Sequence, residues 1–268
     1  ASLLSLSTGD YPGIEGLVTE LMDVLAPMDV ALSLPSLRLD SLNKETLAKI
    51  ADYKATALTF APEAGTQRLR DAIGKQITEA DLMRALEVAV PLGFSKFKFY
   101  FMIGLPGETQ EDLEGIVTLA RAVQQKAHGL AREHGLPGRF QLSVSVSNFV
   151  PKPGTPLERV RGDSEEALME KVRMLKDAIK RVKGVHFKYH DTRMSRIEML
   201  LAKGDADTAA VVLAAARAGS GFDSWREHFD YHNWLRAFAE AGVAPEDRYA
   251  GPDAALPWAF IEHGKAYG

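Results

Sequence analysis

The sequence predicts an α/β protein: a partial (β/α) TIM-like barrel of parallel strands, followed by a mainly helical C-terminal extension. Three observations predict it. Strand and helix signals alternate through the first two thirds of the 268 residues, a pattern that implies parallel strands joined by right-handed crossovers. The strands carry one aliphatic and one small or polar face, as where Leu142, Val144 and Val146 alternate with Ser143, Ser145 and Ser147. Finally, FYFMIGLPGET from Phe99 reads as a strand, a glycine-rich turn and a helix cap at Thr109 and Asp112, a loop placed where βα proteins keep their chemistry. A barrel and an open doubly wound sheet both fit the alternation. The serine-rich faces favour a barrel with a roomy, hydrated or ligand-filled interior, because a filled barrel is lined by bulky branched residues.

The first strand is expected at 3–7, followed by a helix whose stripe is Ile14, Leu17, Val18, Leu21 and Leu25. A second strand at 30–34 precedes a helix carrying Leu42, Leu47 and Ile50. The third strand, at 56–61, is paired with a helix near 79–90 that Thr78 is placed to cap. A fourth strand at 96–103 leads to a long helix near 111–132, and a fifth at 140–149 leads to a helix near 164–181. The barrel is thus assigned to 1–184 and the extension, packed on it, to 185–268. A closed barrel needs at least one strand more. The chain is therefore expected to lack the first strand of its fold and to leave the strand at 3–7 with an open edge, a surface for self-association.

Composition narrows the function. Hydrophobic residues make up 46% and charged residues 25% of the chain, as in a globular domain. No apolar run approaches the ~18–20 residues of a membrane span, and the opening ASLLSLSTGD lacks the pattern of a signal peptide; a cytoplasmic protein with no membrane partner is expected. The net charge of −4 does not indicate nucleic acid. There is no cysteine, which excludes disulfides, thiolate zinc sites, cysteine nucleophiles and cysteine-held iron–sulfur clusters within this chain.

Five segments, SLSTGDYP, SLPSLRLDS, TFAPEAGTQRLRDAIGKQIT, FYFMIGLPGETQEDLEGI and SVSNFVPKPGTPLE, follow the successive strands from Ser5 to Glu158. In order and spacing they resemble the radical S-adenosylmethionine (SAM) enzymes, in particular the cobalamin-associated branch. The tail, through YHDTRMSRIEMLLAKGD, GFDSWREHFDYHNWLRAF and LPWAFIEHG, is similar to that of one uncharacterised subgroup. The resemblance implies a SAM-dependent oxidoreductase that forms a 5′-deoxyadenosyl radical with a [4Fe–4S] cluster, or acts on a cobalamin-linked substrate. The family's three-cysteine loop would precede Ala1, so the chain is expected to be an inactive fragment of such an enzyme, with cluster and cobalamin confined to the parent.

Residue by residue, the resemblance assigns cofactor-binding positions. Thr8, Gly9 and Asp10 stand where the family turns around the methionine amino group; Asp10 reads equally well as a helix cap. Ser36 and Arg38 close the second strand, and Glu63 closes the third, near the ribose. Arg38 or Arg68 is placed to hold the SAM carboxylate as a bidentate pair, or else to form a salt bridge with Glu63. Met102, Ile103 and Gly104 match the segment that packs on adenine, and Asn148, Phe149 and Val150 the segment whose backbone reads the adenine edge. Lys98, Tyr100, Ser143 and Ser145 line the chamber as substrate-facing residues, with no substrate identified.

The tail holds His186, His190, His228, His232 and His263. His228 and His232 are four apart on an expected helix from Ser224, the spacing for one metal, yet no HExxH pattern accompanies them. Trp225, Trp234, Phe238 and Trp258 are expected to bury together and dock the tail. Two other readings compete with the fragment of a radical SAM enzyme. One is a non-catalytic scaffold or protein-interaction fragment. The other is a metal-dependent hydrolase built on the tail histidines.

Overall fold

The computed structural model describes residues 3, 11–30, 32, 48, 51, 57–244 and 256–261. The chain divides into two compact units. The first comprises Ala1–Met102, Gly107–Ser147 and Val172–Tyr189, and the second Ile103–Pro106, Asn148–Lys171 and His190–Gly268.

The elements in chain order are α1 (Ile14–Leu25), β1 (Leu58–Glu63), α2 (Gln67–Ala72), α3 (Glu79–Ala89), β2 (Lys96–Ile103), α4 (Gln110–Glu133), β3 (Gln141–Asn148), α5 (Glu165–Ile179), β4 (Val185–Tyr189), α6 (Thr192–Ala202), α7 (Thr208–Arg217) and α8 (Tyr231–Glu240). The fold is α/β, a partial barrel of four parallel strands in the order β1-β2-β3-β4. Among the described residues no helix is long and apolar enough to cross a membrane. The strands expected at 3–7 and 30–34, with the open edge on the first, lie mostly outside the described residues, as does the helix expected around Leu42, Leu47 and Ile50.

Period-two alternation builds the core of the first unit. Phe97, Phe99 and Phe101 on β2 are buried, as are Leu142, Val144 and Val146 on β3, while the residues between them are half-buried or exposed. Phe60 of β1 meets the ring of Phe99 edge-on at 5.2 Å, and each such buried ring contributes roughly 1.5–3 kcal/mol. Leu82, Leu86 and Ala89 form the buried stripe of α3, and Ile116, Ala120, Val123 and Ala127 that of α4, four residues or fewer apart as a helical face requires. Thr78 caps α3 through a reciprocal pair, its N–H donating to Asp81 at 2.8 Å and its Oγ1 accepting the Asp81 N–H at 3.1 Å.

One strand differs in its ends from the sequence expectation and another is new. β1 runs to Glu63, because the pairing register slips between Phe60 and Glu63 and absorbs an extra residue. β4, which the sequence did not signal, pairs Leu142 with Val185 through Val146 with Tyr189. Its five residues include His186 and Lys188, too short and polar a run to signal a strand.

In the second unit α6, α7 and α8 close on a core of Ile197, Leu200, Val211, Ala215, Trp234 and Phe238. The loop that follows β3 belongs to the same unit and is fastened to α6. Lys203 Nζ donates to the carbonyls of Glu158 and Val160, and Lys152 pairs with Glu198.

Candidate active site

Glu63, expected at the end of its strand, closes β1 with φ of 68°. That is the left-handed region, which costs a residue with a Cβ roughly 1–2 kcal/mol. Burial pushes its carboxyl pKa up, and Lys75 Nζ at 3.5 Å only partly reverses the shift. A strained, half-buried acid with a raised pKa at a strand's C-terminal end is a typical functional position.

Asp112, in the first turn of α4, is in the opposite condition. It is 2% exposed, yet its carboxylate accepts from the Thr109 N–H at 2.7 Å, from Thr109 Oγ1 at 2.8 Å, and closely from Thr66 Oγ1 and Arg68 Nη2. Burial raises its pKa, but these hydrogen bonds together outweigh burial and hold it below the ordinary range. One side chain thus ties the caps of two helices, because Thr66 Oγ1 also accepts the Leu69 N–H of α2 at 3.3 Å. Gly65 makes this possible: a Cβ there would lie 2.0 Å from the Asp112 carbonyl and 2.4 Å from the Ile116 nitrogen.

Arg68, expected to hold a carboxylate of the cofactor or to pair with Glu63, pairs with Asp112 and donates to the Gly107 carbonyl at 3.0 Å. Glu63 takes Lys75 instead. Thr8, Gly9, Asp10, Ser36 and Arg38 lie outside the described residues.

The four residues expected to face substrate share the open face of the sheet. Lys98 and Tyr100 alternate with the buried phenylalanines of β2, and Ser143 and Ser145 with the buried aliphatics of β3. Backbone bonds from Gln141 to Ser95 and from Phe149 to Ile103 hold one offset along this pair, which sets Lys98 beside Ser143 and Tyr100 beside Ser145. The β4 pairing adds His186 next to Ser143 and Lys188 next to Ser145. Lys98 Nζ lies 4.4 Å from the centre of the Tyr100 ring. Met102 is half-buried on the same face.

In the second unit Ile103 and Gly104 adjoin Asn148, Phe149 and Val150, with the Phe149 N–H donating to the Ile103 carbonyl at 2.8 Å. Gly104 has φ of 78°, and a Cβ on it would come within 2.9 Å of Leu168 Cδ2, so glycine is required there. Asn148 is 7% exposed; its Nδ2 donates to Ser195 Oγ at 2.8 Å and to the His190 carbonyl at 3.3 Å. Those donations fix the amide, and Asn148 Oδ1 is left buried without a partner. Such an orphan acceptor is rare in a folded protein and suits a ligand that brings an N–H.

The tail corrects two expectations. Trp234, Phe238 and Trp258 are buried, but Trp225 is 60% exposed, in a turn whose geometry points it away from the core. His228 also belongs to that turn, while α8 begins only at Tyr231 and places His232 on it; the two do not share a helix. No group of three or more metal-binding side chains occurs among the described residues. His186 and His190 are exposed, and His263 lies outside the described residues. Sequence reasoning also missed a triad in this unit. Tyr231 Oη donates to Glu165 at 2.7 Å and accepts from Arg196 Nη1 at 2.7 Å, and burial with the neighbouring carboxylate pushes its pKa up to about 12.

Residues 4–120 match the radical SAM superfamily, which supports a radical SAM assignment. Over 242 residues the chain is 30% identical to an uncharacterized protein of Methanocaldococcus jannaschii, a match that covers 90% of this chain and 50% of that protein. It is 27% identical over 171 residues to an uncharacterized protein of Methanopyrus kandleri, covering 63% of this chain and 31% of the other. A second M. jannaschii protein is 22% identical over 115 residues, 43% of this chain and 23% of its own. The chain thus spans half or less of each of these relatives.

Proposed function

We propose that this chain is a segment of a longer cytoplasmic radical SAM enzyme of the cobalamin-associated branch, which binds SAM and the substrate at the C-terminal ends of its strands. The observation that carries the reading is Glu63, held in a left-handed conformation with its carboxyl pKa raised at the end of β1. It is suited to accept hydrogen bonds from ribose hydroxyls. SAM, when bound, supplies the 5′-deoxyadenosyl group. The chain's residues do not fit a [4Fe–4S] cluster: cluster irons need thiolates, and the sequence has no cysteine. In this proposal the thiolates, and any cobalamin site, belong to other parts of the parent.

Lys98, Tyr100, Ser143 and Ser145 then present a cation, a phenol and two hydroxyls to the substrate. Calorimetry with S-adenosylhomocysteine tests the pocket. The chain should bind it weakly, and Glu63→Gln should lower affinity about 30-fold, the effect of losing a buried charged contact. Equal binding by both proteins would remove Glu63 from the site. The lack of cysteine favours one other reading for the chain by itself, a non-catalytic scaffold. Anaerobic reconstitution of the longer parent, with iron and sulfide counts, separates the two.

A further inference from the structure

A groove of about 800 Å³ opens in the first unit at the N-terminal ends of β3 and β4, the end of the parallel sheet opposite Glu63. Arg121, His128 and Arg132 line it from one face of α4, seven and four residues apart, and Arg181 and Lys183 line it from the turn before β4. No carboxylate lines it. Among the described residues no ion pair engages Arg121, Arg132, Arg181 or Lys183, although acids outnumber bases in the chain as a whole. Four like charges around one concavity repel each other and are relieved by a multivalent anion.

A second feature points to more than an ionic atmosphere. Gln124, 5% exposed, lines the groove beside these cations. Its Nε2 donates to the Gly184 carbonyl at 2.8 Å, which fixes the amide, and its Oε1 is buried with no partner. Gly184 is required for that approach, since a Cβ there would lie 3.0 Å from Gln124 Nε2 and from the Phe140 carbonyl. His128 is set edge-on against Phe140, with ring centres 5.4 Å apart. The volume is that of a small-molecule site.

We propose that this groove binds a small organic polyphosphate of the nucleoside triphosphate class, its phosphates held by Arg121, Arg132, Arg181 and Lys183 and a hydroxyl or amino group donating to Gln124 Oε1. Guanidinium groups suit phosphate oxygens as bidentate partners, and the orphan acceptor selects a ligand that carries a donor over bare phosphate.

The test is calorimetry on the full chain at about 50 mM salt, where screening is weak, with ATP, inorganic triphosphate and a 15-nucleotide RNA as probes. ATP and triphosphate should both bind, and both should weaken as salt rises. Arg121→Ala with Arg181→Ala should weaken both by at least about ten-fold. Both side chains are exposed, so an unchanged melting temperature confirms the fold. Gln124→Leu should weaken ATP and leave triphosphate unchanged. If that variant fails to fold, tighter binding of ATP than of triphosphate by the native chain gives the same answer. Glu63→Gln should leave ATP binding intact. No binding of either phosphate at about 1 mM, a concentration that detects even weak sites, would overturn the proposal. So would unchanged affinity in the double arginine variant, loss of ATP binding in Glu63→Gln, or RNA binding tighter than ATP.

Discussion

Glu63 ends β1 and Asp112 lies in the first turn of α4, after the neighbouring parallel strand, and their surroundings are opposite. Asp112 is nearly sealed from solvent but accepts four hydrogen bonds, and its pKa falls. Glu63 is less buried, has one lysine for company, sits on strained backbone, and its pKa rises. A carboxylate held by four hydrogen bonds is committed to the fold, whereas strain and incomplete pairing are typical of functional positions.

The largest expected effect is at the hinge of the Asp112 knot. Gly65→Ala should destabilise the chain by about 3 kcal/mol or more in urea unfolding, because its new methyl would overlap the Asp112 carbonyl. A stability change under about 1 kcal/mol would show that the two loops are not locked together. Asp112→Ala comes next, at roughly 3 kcal/mol, since it strands the donors of Thr66, Thr109 and Arg68. If Asp112→Ala costs no more than Glu63→Ala, the distinction between the two acids collapses.

Acid titration sharpens the contrast, because the two groups have opposite signs. Asp112 has a folded pKa below its ordinary 3.8, so the stability it confers is complete above that value and lost as pH falls through the depressed one. Removing it should flatten the acid limb of a stability profile measured below about pH 4. Glu63 has a folded pKa above its ordinary 4.5; its contribution is present below that value and lost as pH rises through the raised one. Glu63→Gln should therefore abolish a small loss of stability on the alkaline side of pH 4.5, and an unchanged profile would mean that Glu63 is not penalised by burial.

The smallest effect is the most diagnostic. Glu63→Gly should stabilise the fold by about 1 kcal/mol by relieving the left-handed conformation, while S-adenosylhomocysteine binding falls. A gain in stability coupled to a loss of binding is the expected signature of a site residue. Destabilisation on removing Glu63 would assign it to the scaffold with Asp112.

Much of this scaffold was legible in the sequence. The expected strand at 96–103 is β2, and that at 140–149 is β3 with one residue fewer at each end. The helices near 79–90, 111–132 and 164–181 are α3, α4 and α5 to within two residues at each end. Their signals are local: alternation along a strand, a stripe along a helix, a threonine three residues before an acid. The place of Glu63 at the end of its strand was legible through its motif. Its strain was not, because the slip in register depends on what Phe60 and Phe101 find across the sheet.

What the sequence by itself determined is therefore the α/β class, the division of β2 and β3 into a core face and an open face, and the caps at Thr78 and Thr109. Each follows from residues within a few positions of one another. Only the tertiary structure decided that Arg68 serves Asp112 and not Glu63. It alone placed Gly65 against α4, seated Gln124 under Gly184, kept Trp225 in solvent and turned Val185–Tyr189 into a strand. Those contacts join residues far apart in sequence, or hinge on whether one turn ends before a helix begins. Composition and periodicity describe a chain's neighbours along itself, whereas the partners that satisfy a buried charge or admit a bare glycine are supplied by the packing.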